Sequence, residues 1–418
     1  MIEKVLHLVP DSKKERLLSG MLFRLLRKLK HGHLVVNYQG ESNSFGQPAS
    51  DTDLTAILNI HSGKALLRMV SRGSIGAGEA YMQGEWSSPN LTNLIRLSIR
   101  NMQVVDDLEE GIARVSSPVF KLLHWLKKNT LSQSRKNIAA HYDIGNDLFE
   151  HFLDPSMMYS SAIFENDDMT LEQASINKLD RICKKLNLKE TDHLLEIGTG
   201  WGGMAIHAAK YYGCRVTTTT ISQEQYSFAK KRIESEGLQD RITLLLKDYR
   251  ELTGQFDKLV SIEMIEAVGH QFLKTYLRTC SALLKPDGLL LIQSITIKDQ
   301  RYEYARDNPD FIKQYIFPGG FLPSISVISQ TMKKVTDFQL VHMEQFGDSY
   351  AKTLNNWKRN FFRNLNKIER LGYSKSFQRM WDYYLSYCEA GFLEHYINCA
   401  QLVFEKPQYR QQAVLGTI

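Results

Sequence analysis

The stretch His193–Ala205, HLLEIGTGWGGMA, decides how the rest of this 418-residue chain is read. An apolar run (Leu194, Leu195, Ile197) carries one acid, Glu196, into a turn holding Gly198, Gly200, Gly202 and Gly203. From Met204 to Ala209 the pattern becomes helical. Strand, glycine-dense turn and helix is the arrangement that lets a backbone approach a cofactor closely. Glycine suits such a turn because a Cβ would block the approach and because positive φ is needed.

The spacing G-x-G-x-G-G differs from the dinucleotide G-x-G-x-x-G, and no Lys-Ser/Thr pair follows as a phosphate loop requires. With its preceding acid, the turn resembles the E-x-G-x-G-x-G form of S-adenosylmethionine methyltransferases. The stretches that follow agree with that fold. CRVTTTTIS (214–222), ITLLLKDYREL, FDKLVSIEMIEAVG (256–269) and LKPDGLLLIQSITI (284–297) read as further strands, with helical patterns between several of them. Alternation of this kind predicts an α/β, doubly wound parallel sheet. Ligands of such sheets lie beyond the carboxyl ends of the strands. Gly198–Gly203, Ser222, Asp248, Glu263, Glu266, Gln293 and Ile295 all fall there.

Upstream, Thr170 stands where it can cap a helix through Gln173. Residues 34–60 read as short strands, 90–128 as helical, and LSQSR (131–135) as a linker. Two domains are expected: a small α+β one over 1–130 and a catalytic one over 136–418. Past residue 300 the chain is aromatic and helical, consistent with inserted and C-terminal helices that cap the strand ends.

Residues 1–135 hold 18 Lys+Arg against 12 Asp+Glu, while the remainder holds 34 of each. The positive excess therefore lies wholly before the glycine turn and suits an anionic surface. Within it, SKKERLLSGMLFRLLRKLK (12–30) spaces Leu17, Leu18, Met21, Leu22, Leu25 and Leu29 at helical steps among basic residues. Such a helix either packs on its own domain with a solvated basic face or lies on an anionic membrane. No apolar run nears the ~20 residues of a membrane span, so a peripheral, cytoplasmic protein at the inner membrane face is expected. The five cysteines form no C-x-x-C pair, so no metal site and a reducing compartment are expected.

Several blocks together resemble the cyclopropane-fatty-acyl-phospholipid synthase family: HYDIGNDLF, MMYSSA, LEIGTGWGG, TTTISQEQ, DYR, SIEMIEAVG, YIFPGGFLPS, FGDSY and YLSYCEAGF. The resemblance runs from about residue 70 to 405. It implies a Rossmann-like class I methyltransferase core that moves the methyl of S-adenosylmethionine to a cis double bond in a phospholipid acyl chain, forming a cyclopropane fatty acyl group. Cofactor contacts are implied at Tyr159, Ser160, Glu196, Gly198, Thr199, Gly200, Gly202, Thr220, Ser222, Gln225, Asp248, Tyr249 and Ile262. The generic acidic ribose ligand after the second strand is missing, and TISQEQ takes its place as in this family.

The implied base is a bicarbonate ion, held by positions that carry over to Ser161, Glu266, Gln293, Ile295 and Tyr350. Ser161 stands where the family usually has Cys, and Gln293 where it has His. Glu263 stands where Gly is usual, adding a carboxylate three residues before Glu266. That motivates a hypothesis: Glu263 shares or replaces the role of bicarbonate, giving a methyl- or methylene-branched chain in place of a ring. Cys388 is carried as a further catalytic candidate, although a small buried apolar group is its plainer reading. Glu263 as a solvated loop carboxylate, a methyltransferase for a soluble small molecule, and a non-catalytic lipid- or cofactor-binding relative are the competing readings. Nucleic acid is not an expected partner, because the basic excess lies far from the cofactor turn in sequence. A homodimer remains an open option.

Overall fold

A computed structural model describes residues 11–47, 54–104, 106 and 145–411. The helices used below are α1 (Asp11–Leu26), α2 (Gly63–Met82), α3 (Leu91–Arg100), α4 (Leu171–Lys185), α5 (Gly203–Tyr212), α6 (Gln223–Ser235), α7 (Leu273–Leu283), α8 (Gly347–Arg363) and α9 (Lys375–Leu393). The strands are β1 (His33–Tyr38), β2 (Glu41–Gly46), β3 (Thr55–Ile60), β4 (Trp86–Ser87), β5 (His193–Ile197) and β6 (Arg215–Thr220). They continue with β7 (Ile242–Leu246), β8 (Phe256–Ile262), β9 (Leu284–Ile297), β10 (Gln339–Gln345) and β11 (Ile397–Glu405). The linker expected at 131–135, and His141 and Asp143 of the HYDIGNDLF block, lie outside the described residues. Among the described residues no helix is long and apolar enough to cross a membrane.

The chain forms two compact units. The first takes in residues up to 126 together with 308–316 and 365–396, so it is not the purely N-terminal domain that the sequence suggests. Its sheet has the order β2-β1-β3-β4, with β1 and β3 parallel and the other pairs antiparallel. α2 kinks at Gly73, where φ is +54° and ψ −134°, dihedrals outside the helical region. α9 packs on α2 and α3. Thr92 donates to Glu389 at 2.7 Å, and Arg96 and Arg100 hold the Glu394 carboxylate at 2.7 and 2.8 Å. Phe311 meets the Tyr383 ring edge-on at 4.6 Å. These long-range contacts leave no local pattern, and the sequence boundary misses them for that reason.

The second unit (residues 127–307, 317–364 and 397–418) carries a seven-stranded sheet in the order β10-β11-β9-β8-β5-β6-β7. β9, β8, β5, β6 and β7 run parallel, and β10 and β11 are antiparallel additions at one edge. After β5 the chain steps to β6 and β7, then returns to β8 on the other side of β5. The switch point is therefore beside the glycine turn. A buried cluster including Leu194, Met204, Val216, Val260 and Leu291 fills the space between sheet and helices. The predicted cap is present: Thr170 accepts from the Gln173 amide, and Gln173 reaches back to the Thr170 N–H. The region past 300 is less wholly helical than its aromatic content suggests. β11 is buried along most of its length and so shows no alternating pattern, which hides it from a period-two reading.

The first unit offers a direct check on its composition. A Cβ on Gly78 would meet the Phe311 ring at 2.3 and 2.7 Å. Gly78→Ala should therefore destabilise that unit by about 1–3 kcal/mol, lowering one step of a thermal melt followed by calorimetry. An unchanged melt would mean that segment 308–316 does not pack there.

Candidate active site

The glycine turn sits at the carboxyl end of β5. Gly198, Gly200 and Gly202 have φ of +103°, +52° and +90°, and a Cβ built on Gly200 meets nothing within 4 Å. At Gly200 the turn thus presents bare backbone to open space, as a cofactor cradle must. Glu196 lies beneath it, buried, accepting a 2.6 Å bond from Thr218, whose hydroxyl oxygen in turn lies 2.7 Å from that of Thr199. Burial pushes the Glu196 carboxyl up to about 8, against the pull of Thr218 and Lys178. Its side chain therefore supports the turn from below.

The other expected cofactor residues gather at neighbouring strand ends. Thr220 donates to Gln225 at 2.8 Å, the Ser222 amide donates to the Thr220 hydroxyl, and Ser222 caps α6. Asp248 caps the turn 249–251 and forms a two-point pair with Arg250 at 2.7 Å. Tyr249 is buried against Tyr276, with the Arg250 guanidinium over its ring. Ile262 ends β8. Asn146, from the described half of the HYDIGNDLF block, accepts from the Trp201 indole at 2.7 Å and so ties that block to the turn. Tyr159 joins Phe149, Phe152, Phe317 and Trp357 in one aromatic wall, and Trp357 also packs edge-on against Tyr350.

Beyond β8, Glu263 takes an uncommon backbone conformation, φ +51°, where the resembling family has glycine. Its carboxylate is not solvated. Oε1 accepts from the Ser161 amide and from Gln293 Nε2, both at 2.8 Å, with the Cys399 thiol at 3.7 Å. Oε2 accepts from the Tyr350 hydroxyl at 2.7 Å. Three of the donors that the resemblance assigns to bicarbonate are thus bonded to a side chain of the protein itself. Ser161 contributes its backbone N–H, and its hydroxyl turns to the Ala162 carbonyl, so the change from Cys leaves this contact intact. Burial raises the Glu263 carboxyl, and the bonds from Ser161, Tyr350 and Gln293 pull it back.

Glu266 accepts from the Ile295 amide at 2.5 Å and from the Ser294 hydroxyl at 2.9 Å, both through Oε1. Its Oε2 is buried without a hydrogen-bond partner among the described residues. Burial first, and the neighbouring Glu263 charge second, push the Glu266 carboxyl up to about 8. Both acids are raised by burial, with Glu263 opposed by three hydrogen bonds to its carboxylate and Glu266 raised further by the Glu263 charge.

Cys388 sits on α9 in the first unit, where burial raises its thiol, and the other catalytic candidates belong to the second. The residue that sequence reasoning missed is Lys178. Fully buried on α4, it donates to Ser160 at 2.8 Å, and burial lowers its ammonium to about 8. Glu263 is the first of the neighbouring charges that hold it up. The signal was available: Leu171, Ala174, Ser175, Lys178, Leu179 and Ile182 form one buried stripe, in which a lysine is out of place.

A family model described as mycolic acid cyclopropane synthetase matches residues 129–402. A tuberculostearic acid methyltransferase from Mycobacterium tuberculosis is 38% identical over 84% of this chain and 84% of its own length. A cyclopropane-fatty-acyl-phospholipid synthase from Escherichia coli is 37% identical over 81% and 85%. Among solved structures, a Mycobacterium tuberculosis cyclopropane synthase superposes with a TM-score of 0.61 at 30% identity, covering 65% of this chain and 98% of that one. A mycolic acid cyclopropane synthase solved with S-adenosylhomocysteine matches equally well, with a TM-score of 0.61 at 31% identity over the same shares of the two chains. The open glycine cradle fits that cofactor class. This chain belongs to the mycolic acid cyclopropane synthetase family of S-adenosylmethionine-dependent methyltransferases.

Proposed function

We propose that this enzyme methylates the cis double bond of an unsaturated acyl chain in a phospholipid, with Glu263 as a built-in base. The observation that carries the reading is the Glu263 carboxylate lodged among Ser161 N–H, Gln293 and Tyr350. A free bicarbonate does not fit the same donors while that carboxylate holds them. Bound S-adenosylmethionine supplies an electrophilic methyl group.

The alkene's π pair forms the new C–CH3 bond, leaving a cation on the neighbouring chain carbon. The aromatic wall of Tyr159, Phe317 and Trp357 suits such a cation, and water must be kept from it. Glu263 Oε2, with Tyr350 as its one hydrogen-bond donor among the described residues, keeps a lone pair for the departing proton. Closure with proton loss from the new methyl gives a ring. Proton loss after a 1,2-hydride shift gives a methylene branch, and loss from the adjoining chain carbon gives a methyl-branched alkene. A carboxylate held by several donors is a weaker base than a bare one, so the cation persists long enough to rearrange. A branched product is therefore the reading we favour.

Membrane access fits the first unit. On α1, Leu18 and Leu22 are buried, while Leu17 and Met21 are 55% and 45% exposed beside exposed Arg16, Arg24, Arg27 and Lys28. An apolar pair framed by cations suits an anionic lipid surface, each cation adding about 1 kcal/mol. Leu17→Glu with Met21→Glu should abolish sedimentation with phosphatidylglycerol vesicles, and unchanged sedimentation would rule this face out.

The product decides the main reading. Expressed in a bacterium lacking its own synthase and fed cis-unsaturated lipid, the enzyme should yield acyl esters heavier by one CH2 that retain vinylic protons by NMR. A cyclopropane product, of equal mass but without those protons, would refute the role given to Glu263. Glu263→Gly relieves the strained backbone and empties the donor set. Its turnover should fall by about tenfold or more, recover with added bicarbonate, and shift toward the ring.

Glu266 gives a separate check on the pair. Its folded value near 8 lies above the unfolded 4.5, so the folded state holds the extra proton and stability falls as pH rises between those values. Glu266→Gln removes that slope. Relative to the variant, the wild type should lose stability from pH 5 to 8 in denaturant titrations; parallel curves would show Glu266 to be ordinary.

A further inference from the structure

Gln293 ends a line of hydrogen bonds whose direction is fixed from outside. Lys185, on the same buried stripe of α4 as Lys178, donates to Gln401 Oε1 at 2.6 Å. Gln401 Nε2 donates to Gln293 Oε1 at 3.0 Å, and Gln293 Nε2 donates to Glu263 Oε1 at 2.8 Å. Gln293 and Gln401 are fully buried neighbours in register on β9 and β11. At the outer end Lys185 pairs with Glu344 on β10, which also binds Arg181.

An amide can turn either end toward a neighbour, but an ammonium can only donate. Lys185 therefore requires the oxygen of Gln401, which leaves the Gln401 NH2 for Gln293. Gln293 must answer with its oxygen, and its NH2 is left for Glu263. We propose that Lys185 and Gln401 are positioning residues that hold Gln293 as a donor, and so keep the Glu263 carboxylate anionic and aimed. Aligned bonds of this kind also polarise one another in a buried setting. The inference rests on Glu263 being the base. The other titratable groups facing Glu263 are Glu266 on its own loop, Lys178 on α4, Tyr350 on α8 and Cys399 on β11. Those facing Lys185 are Glu344 and His342 on β10 and Arg181 on α4.

Gln401→Glu tests the direction at nearly constant shape. The new carboxylate still accepts from Lys185 but cannot donate, so Gln293 turns its NH2 outward and its oxygen toward Glu263. The Glu263 anion is then disfavoured. Turnover at neutral pH should drop by about tenfold and the acid limb of the kcat profile should rise by about one pH unit, with KM for S-adenosylmethionine unchanged. Adding Gln293→His should bring the limb back, because a protonated imidazole donates to both carboxylates. A folded Gln401→Glu enzyme with an unmoved limb, or a double variant no better than the single, overturns the proposal. Should Gln401→Glu fail to fold, Lys185→Met decides by the same readout: an upward limb shift supports the relay and an unshifted limb ends it. Wild-type turnover in Glu263→Gly would instead sink the base assignment itself. Collapse there, with an unmoved limb in Gln401→Glu, removes the relay alone.

Discussion

One carboxylate holds this active site together. Glu263 receives donors from four separate places in the chain: the loop before α4, β9, the first turns of α8, and β11. Each is a distant segment by sequence, and each is brought to the sheet's carboxyl edge by the order of the strands. A buried anion is costly unless it is paired and bonded. The donors and the nearby Lys178 ammonium answer that cost, and they do so only if all of those segments are in place. Chemistry and architecture are therefore the same constraint here.

The positive φ of Glu263 fits that view. A left-handed conformation costs a non-glycine residue of order 1 kcal/mol or more and persists where its surroundings over-determine it. Here the surroundings are the donors themselves. Glu266, three residues on, shows the contrast: one of its oxygens is served by a backbone amide and a hydroxyl, and the other by nothing among the described residues. Burial raises both acids of this loop, and the richer bonding of Glu263 opposes that rise while Glu266 has less to oppose it.

Much of this was legible in the chain. The glycine turn, the Thr170 cap and the parallel strands each carry a local signature of a few residues, and local signatures survive in a single sequence. The strand-end rule placed Ser222, Asp248, Glu263, Glu266 and Gln293 correctly on the same edge. Less legible was anything set by distant pairing. Gln401 and Cys399 look like ordinary strand residues, and only the register of β11 against β9 brings them to Gln293 and Glu263. Lys178 and Lys185 were readable in principle, since both interrupt an apolar stripe, yet a lysine-rich helix invites the reading of a solvated face. The boundary between the two units was hidden for the same reason. Motif order along the chain does not say to which unit a late helix returns.

That return has a consequence for how the molecule is made. The first unit lacks α9 until residue 393 exists, and the seven-stranded sheet lacks β11 until residue 405 exists. During synthesis at about 5–20 residues per second, an N-terminal domain ordinarily folds while the rest is still being translated. Neither unit here can finish that way. For most of translation the nascent chain must carry an incomplete sheet edge and an uncovered α2–α3 surface, and the two units then become complete within about a dozen residues of each other.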